Sequence, residues 1–271
     1  MAIYQASSQA SEREELAAMT ATPPLTYSRY LHLDDLLAQH VPLCPSAHDE
    51  HLFITVHHVH ELWFKLLLIE LTDARDRMLT GEAHLPQLRL QRCHAIEQAL
   101  LDTLHLLDTM TPTDFLAFRS GLGTASGAQS AQYHEVEILS GRKDPNRIGR
   151  MGWLTPAERT HLERRLAEPS VWDGFLNLLT KAGYDTSTHE NRDAALTGIT
   201  HDSAQEPLAD LAEALIGHDQ AWSQWRTHHL LIAERQIGSK PGTGGTTGAP
   251  HLKNRAMTRL FPELWEFRSK L

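Results

Sequence analysis

Cysteine is nearly absent. Cys44 and Cys93 stand alone with no C-x-x-C spacing, so neither a disulfide framework nor a thiolate zinc site is expected. A surplus of basic charge is missing too: 25 Lys and Arg face 34 Asp and Glu, a formal net charge of −9. Neutralising nucleic-acid phosphates needs the opposite balance, so nucleic acid is not an expected partner. No uninterrupted apolar run reaches about 18 residues, so no membrane span is expected. Met1 to Thr22 has neither a basic start nor an apolar stretch, so no secretory signal is expected and a cytoplasmic location is. No alternating strand pattern of useful length and no fixed-period repeat occurs.

What is present is apolar and helical. The chain has 271 residues, 41% of them hydrophobic, enough for one large domain or two small ones and too apolar for bulk disorder. Residues 1–24, rich in Ala, Ser, Thr and Glu, read as a mobile arm, and 25–271 as a single helical domain. Tyr27 to Gln39 predicts a short helix, broken by Pro42 and Pro45. His48 to Leu79 predicts a central one, with Phe53, Val56, Leu62, Trp63, Leu66, Leu67 and Leu71 at three- and four-residue steps. Leu85 to Thr109 repeats the habit. Pro112 suits a first helical position and Asp114 its positive end. Gly121 to Ser130 reads as a loop, Ala131 to Leu139 as helix, and Gly141 to Gly152 as basic and irregular. Pro156 to Glu168 and Val171 to Ala182 read as helices, Gly183 to Ser203 as loose. Pro207 to Ile237 is the last long helix, with a possible interruption at Gly217. Gly238 to Pro250 reads as a loop, and Leu252 to Leu271 as helix with Pro262. The expected fold is an all-α bundle, in which cofactor sites form between facing helices.

Four features could bear chemistry. The chain has 18 histidines, and imidazole is the commonest metal ligand. His57, His58 and His60 cluster before Glu61 but do not match H-E-x-x-H; they suit a polar helix stripe, a metal pair from His57 and His60, or a pocket wall. In Trp222 to His229, a histidine on an otherwise apolar helix could be an axial heme ligand or a satisfied core residue. Gly242-Thr243-Gly244-Gly245-Thr246-Thr247-Gly248 could cradle an anion or order over something bound, but it lacks the lysine of a nucleotide P-loop. Arg119, before the small residues Gly121 to Ser130, could fork a carboxylate or form a surface ion pair.

Taken in order, these blocks resemble the tryptophan 2,3-dioxygenase family. The matching stretches are Tyr27 to Asp34, Leu52 to His57 running on to Trp63, Phe118-Arg119, Ser126-Gly127 and Gln132-Tyr133. Further along come Trp225-Arg226 to His229, Glu234-Arg235, Gly242 to Gly248 and Phe261 to Leu264. The resemblance runs from about residue 25 to the end, and about 145–210 matches poorly. It implies a helical homotetramer with one heme b (iron) per subunit. The implied reaction inserts both atoms of O₂ across the indole C2–C3 bond of L-tryptophan, giving N-formylkynurenine. It also implies His229, rather than His228, as axial iron ligand and His57 as the distal histidine near the indole N–H. Phe53 would be an aromatic wall, Arg119 the carboxylate grip and Thr243 an ammonium contact. Tyr27, Tyr30 and Leu31 would close a neighbouring subunit's pocket.

Departures from the family cluster at that pocket. Phe115 stands where a carboxylate-binding tyrosine is usual, Ala128 and Leu104 where larger aromatics are common, and His60 where a small polar residue is. Two large-to-small changes near Ser126 and the heme edge leave room for a modified substrate such as β-methyltryptophan. A related activity adds a single oxygen to give a 2-oxindole, and would need a reductant. A non-catalytic heme sensor would need His229 but neither Arg119 nor Thr243.

Overall fold

The computed structural model describes residues 24–271; apart from Pro24, the expected arm lies outside the described residues. The chain divides into two units, one ending at Val41 and the other running from Pro42 to Leu271. No strand occurs among the described residues.

In the first unit the expected single helix is two. Helix α1 (Tyr27–Leu31) starts at Thr26, whose side chain accepts the Arg29 N–H, and ends at His32. His32 has a left-handed φ of 49°, a conformation that cannot continue a right-handed helix, and α2 (Leu33–Leu37) starts from it in a new direction. Neither helix buries a side chain within its unit.

The second unit is built on three long helices: α3 (Glu50–Thr80), α4 (His84–His105) and α11 (Glu206–Ile237). Val56, His60, Phe64, Leu67, Leu71, Ala74 and Met78 recur on α3 at three- and four-residue steps and are buried, so one stripe faces the core. Helix α3 ends at Gly81, where φ is 107°; its N–H caps the carbonyls of Arg77 and Met78. By length and mean hydropathy α3 could cross a membrane, but it packs against α4, α6 (Ala131–Ser140) and α9 (Val171–Lys181), while α4 packs against α11. Leu67, Leu71, Leu100, Phe175, Leu215 and Trp222 are sealed in the shared core. Removing such a leucine side chain typically costs about 2–5 kcal/mol.

Smaller elements complete the unit. Helix α5 (Pro112–Arg119) opens with a reciprocal cap between Thr111 and Asp114. Two 3-10 turns interrupt the expected loop at Ser120–Leu122 and Gly127–Gln129. The stretch read as irregular holds α7 (Pro145–Gly149), and α8 (Pro156–Ala167) follows. The stretch read as loose is α10 (His189–His201). Polar composition hid it, yet Ala195, Leu196 and Ile199 at helical spacing are buried. Helix α11 runs through Gly217 unbroken. The end of the chain is α12 (Ala249–Ala256) and α13 (Pro262–Phe267). Buried Asp219 on α11 fixes that end: its Oδ2 accepts the N–H groups of Leu260 (2.9 Å) and Phe261 (3.1 Å) and Trp265 Nε1–H (2.9 Å).

Candidate active site

Helix α3 presents Phe53, His57 and His60 at helical spacing to a cavity of about 610 Å³, a size suited to a cofactor or small ligand. His57 donates its Nδ1–H to the Phe53 carbonyl at 2.7 Å. That bond fixes the tautomer and leaves Nε2 as an acceptor. Burial lowers the His57 pKa, outweighing its backbone bond and Glu61, so the ring is neutral near pH 7. Phe53 lies on His57 with ring centroids 4.1 Å apart and meets Phe115 and Phe118 at 5.9 and 5.3 Å. The result is an aromatic wall bearing one imidazole acceptor.

His60 has a different task. Its Nδ1–H donates to the Val56 carbonyl (2.7 Å), and its Nε2 accepts from Trp225 Nε1–H (3.1 Å). Both ring nitrogens are therefore engaged, which removes the metal pair considered for His57 and His60. Burial pushes the His60 pKa down to about 4. Trp225, held by that bond, lies parallel to His229, with an interplanar angle of 5° and centroids 5.6 Å apart.

Helix α11 separates the two adjacent histidines. His229 lines the cavity, and no hydrogen bond reaches its ring among the described residues. Burial, with His57, His60 and His228 nearby, lowers its pKa to about 4. It is thus a neutral imidazole, the form a metal ligand requires. His228 faces elsewhere: its Nε2 meets Asp108 Oδ2 at 2.9 Å.

One end of the cavity is made by loops. Arg119 closes α5 and donates from Nη2 to the Pro241 carbonyl at 2.7 Å. Thr243 donates its hydroxyl to the Ala125 carbonyl at 2.5 Å. A Cβ on Gly244 would lie 2.8 Å from Ser126 Cβ, so only glycine lets residues 242–248 seat this closely on Ser126. The Ser126 side chain in turn caps the turn that carries Ala128. Phe115, Arg119, Ser126, Ala128 and Thr243 all line the cavity. Tyr27, Tyr30 and Leu31 belong to the first unit and are exposed there.

The other end is a buried charge cluster that sequence reading missed. Glu137 on α6 takes Arg147, Arg226 (3.2 Å), Arg255 (2.6 Å) and Arg142 (3.2 Å), and accepts the Tyr133 hydroxyl at 3.0 Å. Burial alone would raise the Glu137 pKa, but the four guanidiniums hold it near 2. His134 donates Nε2–H to the Ala128 carbonyl (3.0 Å) and accepts Arg147 at Nδ1. Burial first, then Arg147 and Arg255, lowers its pKa to about 3. Four cations thus face one carboxylate. Arg147, Arg150, His251 and Arg255 reach the cavity wall, and the buried Nε atoms of Arg147 and Arg226 have no partner. Tyr133 and Arg226 stood in matching blocks, but Arg147 lay in a stretch read only as basic and irregular and Arg255 in one read only as helix.

A cavity with an unpartnered neutral histidine, an aromatic wall and cations at both ends suits a flat anionic cofactor beside an amino-acid substrate. The tryptophan 2,3-dioxygenase family model matches residues 11–167 and 177–271. The chain belongs to the tryptophan 2,3-dioxygenase family. Similar proteins bearing that name come from Nocardioides sp. (46% identical over 253 residues, 91% of this chain and 95% of the relative) and Herpetosiphon aurantiacus (37% over 259 residues, 91% and 98%). Another comes from Pseudomonas aeruginosa strain PAO1 (37% over 274 residues, 94% and 93%). Tryptophan 2,3-dioxygenase membership makes the chain an oxidoreductase and implies heme b, with its iron, as cofactor. The family model skips 168–176, which lies within the stretch expected to match poorly.

Proposed function

We propose that this tryptophan 2,3-dioxygenase relative oxidises the indole C2–C3 bond of L-tryptophan, or of a tryptophan substituted on its side chain, with O₂. The observation that carries the reading is the pairing of two neutral imidazoles, His57 and His229, on opposite helices of one cavity. Heme b fits the residues present. His229 offers an unengaged nitrogen for the iron, and the surplus of guanidinium over carboxylate around Glu137, with two orphaned Nε atoms, matches a pair of propionates. Bound there, heme supplies the O₂ chemistry that indole does not undergo alone.

The protein's own part is orientation. Phe53, Phe115 and Phe118 form a flat apolar surface for the indole. Nε2 of His57 is an acceptor for the indole N–H. Arg119 supplies a planar fork for the carboxylate, and Thr243, whose hydroxyl oxygen keeps a free lone pair, accepts from the ammonium. Phe115 brings no hydroxyl to the carboxylate; Ala128 and Leu104, both on the cavity wall, leave space that supports a bulkier substrate such as β-methyltryptophan. Tyr27, Tyr30 and Leu31, exposed in their own unit, suit closure of a neighbouring subunit's pocket in a homotetramer.

The test mixes anaerobic ferrous protein with L-tryptophan or β-methyltryptophan, admits ¹⁸O₂ and reads product masses. Two labelled oxygens are expected. One labelled oxygen would replace ring cleavage with 2-oxindole formation and require a reductant. No product despite a normal Soret band would leave a heme-binding sensor.

A further inference from the structure

The residue next to His229 belongs to a second cluster on the far side of α11. His105 is the last residue of α4, Asp108 lies in the 3-10 turn Leu106–Thr109, and His228 projects from α11. Their donor atoms lie within 4.8 Å of one another. The two imidazole rings touch, with centroids 4.1 Å apart. Asp108 Oδ2 is 2.9 Å from His228 Nε2, and Arg235 Nη1 stands 3.8 Å from Oδ1, on the other side of the carboxylate. His105 is exposed, and no hydrogen bond reaches its ring among the described residues. None of the three lines the cavity.

Two imidazoles and one carboxylate converging from two helices and a turn make a donor set for a nitrogen-seeking divalent ion. We propose that His105, Asp108 and His228 form a peripheral site for a divalent transition cation of the zinc type. Tetrahedral zinc, with bonds of about 2.0–2.2 Å, spaces its donors about 3.3–3.6 Å apart. The cluster reaches that spacing by opening the His228–Asp108 contact slightly and swinging exposed His105 inward. His228 then carries its proton on Nδ1 and frees Nε2. Water takes the fourth position, since the site opens to solvent. Arg235, 3.8 Å from the remaining carboxylate oxygen, is a nearby counter-charge for Asp108. The ion would clamp the end of α4 to α11, and it is independent of the heme reading because it shares no donor with the cavity.

The test uses the full heme-loaded chain, stripped with a chelator and equilibrated with micromolar zinc, with zinc and iron counted together by mass spectrometry. The expected result is one zinc per protein chain, whatever the heme content, beyond that retained by a His105→Ala/Asp108→Asn double variant, with each single variant binding at least tenfold more weakly. Zinc should also raise the melting temperature of the wild-type protein and not of the double variant. The Soret band checks that the variants are folded; should the double variant lose it, His105→Ala alone, at an exposed position, supplies the comparison. Equal zinc retention by wild-type and variant proteins, or none by either, overturns the site.

Discussion

The two ends of the cavity are both cationic and are built in opposite ways. At one end Glu137 sits at zero exposure among four arginines, and those side chains are held from several helices at once. At the other, Arg119 rests on the carbonyl of Pro241 in a glycine-rich loop, and Thr243 on that of Ala125. The first arrangement is fixed at folding, because a buried carboxylate and its guanidiniums cannot be separated cheaply. The second rests on single backbone contacts that a ligand can replace. On the proposed function, a permanent cofactor would sit at the rigid end and an exchanging substrate at the loop end.

The largest effect should come from the residue between them. His229→Ala is expected to lose the Soret band and, with it, activity; retention of stoichiometric heme would remove the proposed ligand. Glu137→Gln should then mark the rigid end, lowering stability by about 3–5 kcal/mol in denaturant titration and weakening heme retention. Arg119→Ala should mark the loop end: KM for tryptophan rises about 10- to 100-fold, as expected for losing hydrogen bonds to a charged group, with stability nearly unchanged. Arg119→Lys should not restore it, since a point charge cannot replace the fork. If Arg119→Ala destabilised the fold as much as Glu137→Gln, the contrast between the ends would fail.

Acid should weaken the buried neutral histidines first and the Glu137 cluster after them. His134 is kept neutral, with a pKa near 3 against an ordinary 6.5, so the unfolded chain takes up a proton there first. Its contribution is present above pH 6.5 and is lost as pH falls toward 3. Glu137, held near 2 against 4.5, adds a second loss that begins only below about pH 4.5. Melting temperature should therefore fall in two stages, and His134→Gln should lessen the upper one, which His60 and His229, each near 4, share. The smallest effects concern selectivity: Phe115→Tyr should lower KM for L-tryptophan several-fold, and Ala128→Phe should disfavour β-methyltryptophan relative to tryptophan, read as the ratio of kcat/KM values.

The long helices were legible because each buries one stripe at helical spacing, as Phe64, Leu67, Leu71 and Met78 do. Helix α10 was not, because its apolar residues are few and its cap and surface polar, so only contact with α11 and α13 reveals its buried side. The break at His32 was hidden because no glycine or proline marks it. At the site, Phe53, His57, Arg119, Ser126 and Thr243 stood in recognisable blocks, and the structure brings all five to one cavity.

The sequence by itself determined the helical class, through periodicity that depends only on neighbours three and four residues apart, and the family, through ordered blocks. The blocks already favoured His229 over His228; only the tertiary structure decided that His60 has no nitrogen to spare and that Glu137 gathers arginines from up to 118 residues away. Those outcomes depend on how distant helices meet, and a charge cluster assembled across the chain leaves no local spacing to read.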